Sequence, residues 1–214
     1  DEVVQIYFRM ENPSVKRPLR QLVAFARERI EGGRTRHFEF DIKKSELRFY
    51  DVSRERFAVE QGRYTFMAGA SSEDIRLTKT IDVSGEIIPP RELCKGVKAK
   101  NYDGKYGTKM KYSKKLEQHY MLGGGLIYNN CVLGEADSIE IVCGSRVNTG
   151  KITVRYGGET LCEAEVKPTV DVTEFETVTA QFDKAVLAGI DREKPAVFEL
   201  LMPEQIYILG FRTY

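Results

Sequence analysis

The chain has 214 residues, enough for one large or two small domains, and its 42% hydrophobic and 30% charged content is that of a globular rather than a disordered protein. Basic and acidic residues number 33 and 32, a formal charge of +1, so there is no electrostatic case for nucleic acid or an acidic membrane surface as partner. No apolar run is long enough to span a bilayer.

Strand signals dominate from the start. Residues 3–9 form the first. Segment 18–30 is ambiguous: Leu19, Leu22, Val23, Ala26 and Ile30 fall at helical spacing behind Pro18, but a loop followed by a strand is preferred. Further strands are expected at 36–42, 63–67 and 76–83. In the third of these four early strands, Tyr64, Phe66 and Ala68 alternate with Thr65 and Met67 between Gly62 and Gly69. The proline pair Pro89-Pro90 cannot continue a strand ladder. Residues 84–96 are therefore read as a linker between a module at 1–83 and another at 97–214. Lys109, Lys111, Lys114 and Lys115 read as a solvated loop. Later strands are expected at 138–143, 151–156, 161–166, 175–182, 196–201 and 206–211. Short strands separated by Gly, Pro and Asp turns make the fold all-β, built of sandwiches.

The cysteines Cys94, Cys131, Cys143 and Cys162 lack zinc spacing. Cys131, Cys143 and Cys162 sit in apolar surroundings and read as core thiols, with one or two disulfides the alternative. Unpaired thiols lean towards a cytoplasmic location. Carboxylates are plentiful, but none forms a recognisable pair with a base or a metal-ligand set. Gly123-Gly124-Gly125 precedes a strand signal and is no phosphate cradle. No catalytic, metal or cofactor residue is assigned.

Several motifs of the first half occur in one order: residues 2–7, then Arg17-Pro18 leading to Phe25 with Ala24 where glycine is usual, then 46–51, 60–64 and 69–77. In that order they resemble the C-terminal fibronectin type III-like domain of glycoside hydrolase family 3 enzymes. The family domain has strands upstream of Val3, so the resemblance implies an N-terminally truncated immunoglobulin-like sandwich belonging to a longer enzyme. It also implies partners: the catalytic barrel and α/β domains of that enzyme, which this domain supports without catalysing.

The second half carries Ala99-Lys100-Asn101-Tyr102, then 128–134, 136–141, 150–155, Thr173-Glu174-Phe175 and 207–211. This order is similar to a family 6 carbohydrate-binding module, a β-sandwich jelly roll. Such a module holds a sugar between two aromatic rings with an asparagine nearby, because a pyranose lays C–H groups on a ring face and needs hydrogen-bond partners at its rim. The resemblance implies Phe175 and Tyr120 as the two rings, with Tyr128 and Tyr207 as weaker candidates. Phe175 stands equally open as a core residue, and core is the default for Tyr128 and Tyr207. Tryptophan is absent, and Ile208 stands at the asparagine position. Lys100 replaces a glutamate associated with a structural calcium, which counts against that metal.

The resemblances together imply a non-catalytic accessory portion of a family 3 β-glycosidase, of β-glucosidase or β-xylosidase type, supporting the catalytic domains and contacting β-linked oligosaccharide. The alternative is a pair of purely structural or oligomerising sandwiches with a degenerate sugar site. In that alternative the sandwiches offer packing surfaces for the catalytic domains or for a homodimer.

Overall fold

The alternation at 3–9 and 63–67 does form strands, because in each the apolar side chains of one face find a common layer. The computed structural model describes residues 1–170 and 174–214. They form two units, Asp1–Pro89 and Pro90–Tyr214.

The first unit contains β1 (Glu2–Met10), β2 (Gln21–Glu28), β3 (Phe49–Asp51), β4 (Arg56–Ala58), β5 (Gly62–Gly69) and β6 (Ile75–Val83). An antiparallel sheet runs β2-β1-β5-β6, and β3 and β4 make a separate hairpin. Phe8 of β1 and Tyr64 of β5 pack with Leu47, which follows from the period-two pattern of both strands. The Tyr64 hydroxyl donates to the Glu60 carbonyl at 2.9 Å, so the buried phenol has its partner. Glu60 in turn forms a buried ion pair with Arg17, whose guanidinium lies 3.7 Å over the Phe49 ring.

Segment 18–30 is a loop followed by β2, as preferred, and its helical spacing leaves Leu19 and Leu22 exposed. Residues 36–42 form no strand. They alternate correctly, and the Phe38 and Phe40 rings stack, but among the described residues no strand pairs with their backbone. Alternation marks which side chains can share a face; a strand also needs a ladder partner.

The second unit contains β7 (Arg91–Glu92), β8 (Val97–Lys98), β9 (Gly104–Tyr106), β10 (Lys109–Ser113), β11 (Gln118–Val132) and β12 (Ser138–Ser145). β13 (Gly150–Tyr156), β14 (Glu159–Val166), β15 (Glu176–Gln181), the helix α1 (Lys184–Gly189) and β16 (Ala196–Thr213) complete it. Residues 84–96, read above as linker, are divided between the units. Glu86 is tied to Val59 and Gln61 by backbone hydrogen bonds, whereas Leu93 is fully buried in the second core.

β11 and β16 are long and pair with each other along both halves. The beginning of β11 and the end of β16 lie in the order β10-β11-β16-β12-β15. Their other halves pair with each other, with β9 beside β11 and β13-β14 beside β16. The strands turn the corner between these layers at Gly123 and Gly124, both at positive φ, where the register slips. A Cβ on Gly123 would stand 2.8 Å from the Glu204 Cα on the facing strand, so glycine is required there. The fold is a β-sandwich jelly roll. Its core is filled by alternate residues of the strands, among them Ile139, Ile141, Ile152, Val154, Phe198 and Leu200.

Candidate functional site

β11, β12 and β16 present two faces in the layer β10-β11-β16-β12-β15. Met121, Ile141 and Ile208 enter the main core. The neighbours Tyr120, Leu122, Tyr207 and Leu209 point the other way and form a second, smaller apolar cluster with Phe175. A register slip between Val142 and Cys143 inserts one extra residue in β16. That slip lets Tyr207 face this cluster while Phe211, four residues on, enters the core.

The structure thus brings together Tyr120, Phe175 and Tyr207. Tyr120 and Phe175 have centroids 5.9 Å apart at 70°, and Tyr207 meets Tyr120 at 5.8 Å and Phe175 at 5.0 Å, all edge to face. Tyr207 is fully buried and Tyr120 is 7% exposed. The Tyr207 ring lies over Gly144, where a Cβ would collide with it at 2.7 Å. The Tyr207 hydroxyl donates to the Glu174 carbonyl at 3.0 Å and also contacts the Thr169 hydroxyl. The rings cover one another's faces, and Tyr207 takes up the space next to Tyr120 and Phe175. Ile208, assigned above to the asparagine position, points into the main core instead; Tyr207 is the residue facing the rings. Thr173, at the start of the Phe175 motif, lies outside the described residues.

Tyr128 is elsewhere. It is fully buried in the main core against Phe198 and Phe211, and its hydroxyl donates to the Ala99 carbonyl at 3.0 Å. Burial drives its phenol far above the usual tyrosine range, so it stays neutral.

Beside the ring cluster, on the same face, lies an open groove of about 440 Å³. Val142 and Leu209 form its apolar floor, and Gln118, Glu140, Arg212 and Tyr214 supply polar and aromatic groups. Glu140 and Arg212 are directly opposite on β12 and β16, and the Arg212 guanidinium lies 5.8 Å from the Tyr214 ring. The sequence reading missed this groove. Its local signal was present, since Glu140 and Val142 alternate with the core residues Ile139, Ile141 and Cys143. The pairing of Glu140 with Arg212, 72 positions away, was not.

The residues around Lys100 do not fit a calcium ion. The Asn101 carbonyl accepts from Arg91 Nη1 at 2.8 Å. Asp103 Oδ2 accepts from the Asn129 backbone N–H at 2.7 Å and from Arg91 Nη2 at 3.3 Å. Arg91 and Asp103 have side chains 6% exposed, so a fixed guanidinium already neutralises the Asp103 carboxylate. Among the described residues, no group of three or more His, Cys, Asp or Glu could hold a metal.

The geometry defines a β-sandwich protein with an apolar-floored, polar-rimmed groove on one sheet. Residues 2–72 match the fibronectin type III-like domain family. A β-glucosidase of Rhizobium radiobacter is 35% identical over 80 residues, which cover 37% of this chain and 10% of that enzyme. The chain spans about a tenth of the length of the curated relatives it matches. The second unit resembles solved family 6 carbohydrate-binding modules. The Clostridium stercorarium module in complex with cellobiose has a TM-score of 0.50 at 19% identity, covering 58% of this chain and 95% of that one. The β-1,3-glucan-binding module of Bacillus halodurans has a TM-score of 0.51 at 17% identity, covering 58% and 98%. The first unit therefore carries a fibronectin type III-like domain of the kind found in family 3 β-glucosidases. The second has the fold of family 6 carbohydrate-binding modules.

Proposed function

We propose that this chain is a non-catalytic accessory portion of a family 3 β-glycosidase, acting on β-linked gluco- or xylo-oligosaccharides through catalytic domains other than its own two units. The observation that carries this reading is the fibronectin type III-like match over residues 2–72, shared with β-glucosidases in a tenth of their length. In this reading the first unit supports the barrel and α/β domains, and the second contacts substrate.

The groove is the place for that contact. Val142 and Leu209 offer an apolar floor to the C–H face of a pyranose. Gln118, Glu140 and Arg212 offer donors and acceptors to its hydroxyls, and the Tyr214 ring is 52% exposed beside them. The cellobiose carried by the Clostridium stercorarium module, which has the same fold, supports β-linked glucosides as the ligand class in this reading. Tyr120, Phe175 and Tyr207 act in this reading as a packing cluster, which their mutual edge-to-face contacts support.

Titration of the whole chain with cellobiose and xylobiose, followed by amide and ring chemical shifts, tests the contact. Shifts on Gln118, Glu140 and Tyr214, with a dissociation constant near 1 mM (about −4 kcal/mol), are expected. Arg212→Ala should weaken binding about tenfold. Shifts confined to Phe175 and Tyr120 would move the site back to the rings, and no shifts at all would leave the unit structural. Turnover of a chromogenic β-glucoside by the chain alone would overturn the non-catalytic assignment.

A further inference from the structure

A second groove lies on the sheet of the first unit, on the face turned away from Phe8 and Tyr64. It measures about 730 Å³, within the range of small-molecule sites. Met67 and Ile75 give it an apolar patch, and Thr65, Thr78 and Thr80 line it with hydroxyls. Three arginines stand around it, Arg9, Arg20 and Arg63, against the single carboxylate Glu11. Asp82 is opposite Arg63 on the neighbouring strand.

The lining is held by its own hydrogen bonds. Glu11 Oε1 accepts from Thr65 Oγ1 at 2.6 Å and from Arg9 Nε at 3.0 Å. Thr65 Oγ1 also meets Thr80 Oγ1 at 2.8 Å, so a polar chain runs Arg9–Glu11–Thr65–Thr80 along the groove. These bonds, Thr65 first, keep the Glu11 carboxyl ionised below the usual range. Arg20 is tethered through Nη1 to the Ser72 carbonyl. Among the described residues Arg9 is bound through Nε and Arg20 through Nη1, and the other N–H donors of both guanidiniums face the groove's ligand in this proposal. Arg9 already has Glu11 as its counter-ion, so Arg20 and Arg63 are the guanidiniums of the lining to which a neutral sugar would bring no charge. A planar carboxylate matches their fork geometry, and hydroxyls beside it match the threonines.

We propose that this groove binds a carboxylate-bearing sugar, a hexuronate residue of an oligosaccharide, with the carboxylate on Arg63 and Arg20 and the ring hydroxyls on Thr78 and Thr80. The site is independent of the groove in the second unit. It gives the chain a preference for acidic substituents on a glycan.

The test is a titration of the whole chain with a glucuronate-containing disaccharide, with cellobiose and with inorganic phosphate in parallel. Saturable shifts at Arg63, Thr78 and Thr80 with the acidic disaccharide, at least about tenfold tighter than with cellobiose, are expected. Arg63→Gln and Arg20→Gln should each reduce that affinity about tenfold while leaving the thermal midpoint unchanged, since both side chains are exposed. Arg212→Ala should leave it untouched, which separates this site from the second unit's groove. Equal binding of cellobiose, retained affinity in Arg63→Gln, or absence of shifts with the acidic disaccharide would each overturn the proposal. Phosphate binding as tight as the disaccharide would overturn the sugar and leave a simple anion site.

Discussion

At the scale of the residue, Tyr207 decides what the three-ring cluster can do. Its ring closes on Tyr120 and Phe175, and its hydroxyl reaches the Glu174 carbonyl. Tyr207→Phe should lower stability by about 1 kcal/mol, measured by urea unfolding, because the carbonyl loses its donor. Phe175→Ala should cost about 1–3 kcal/mol by the loss of two edge-to-face contacts, and should leave binding in the groove intact. The buried thiols make a pH prediction. Burial pushes Cys131 and Cys143 up to about 12, against 9.0 for an ordinary thiol. The folded state holds these protons more tightly than the unfolded chain. Their stabilisation is therefore complete below pH 9 and is lost as the pH rises towards 12. The urea midpoint should fall across that window, and fall less steeply in a Cys131→Ala, Cys143→Ala variant. Of the site, the sequence supplied Tyr120 and Phe175 as the two candidate rings, and these are in edge-to-face contact. Which of Tyr207 and Ile208 faces the rings was not legible, because it depends on the register slip in β16.

At the scale of the element, the corner of β11 carries the jelly roll. Gly123→Ala places a Cβ against the Glu204 backbone at positive φ, so a loss of about 1–3 kcal/mol is expected, read as a lower thermal midpoint. Arg91→Ala should cost more, about 3 kcal/mol, because it removes the guanidinium paired with the buried Asp103 carboxylate. Added calcium should not restore it if the guanidinium itself is what the site accommodates. The sequence reading set Gly123, Gly124 and Gly125 before a strand signal, whereas they lie inside β11, where they let one strand bend between two layers and permit close approach of Glu204 and Tyr106. The expected strands at 196–201 and 206–211 are halves of one strand, β16, interrupted in pattern by its own corner at Pro203. The helix α1 was unread although its cap was visible: Asp183 Oδ1 accepts from the Ala185 and Val186 backbone N–H groups.

At the scale of the whole molecule, the two units differ in how much they bury. The second has a continuous core of strands from both layers, and the first has a small one around Phe8, Leu47 and Tyr64. Leu77 and Ile81 of β6, which share the Tyr64 face of the sheet, are 72% and 41% exposed. Amide exchange should accordingly be slowest in β12 and β16 and faster by orders of magnitude in β6; equal protection would contradict this difference in core. What the sequence by itself determined is the all-β class, the existence of two modules and the family likeness of each. Those follow from period-two alternation, turn residues and the order of short motifs, all of which are local. Only the tertiary structure decided which aromatic faces close on one another, that Glu140 and Arg212 share a groove floored by Val142 and Leu209, and that the arginines of β1, β5 and the loop before β2 surround another. Those arrangements depend on register and on bends within long strands, and a shift of one residue in either turns a side chain to the opposite face.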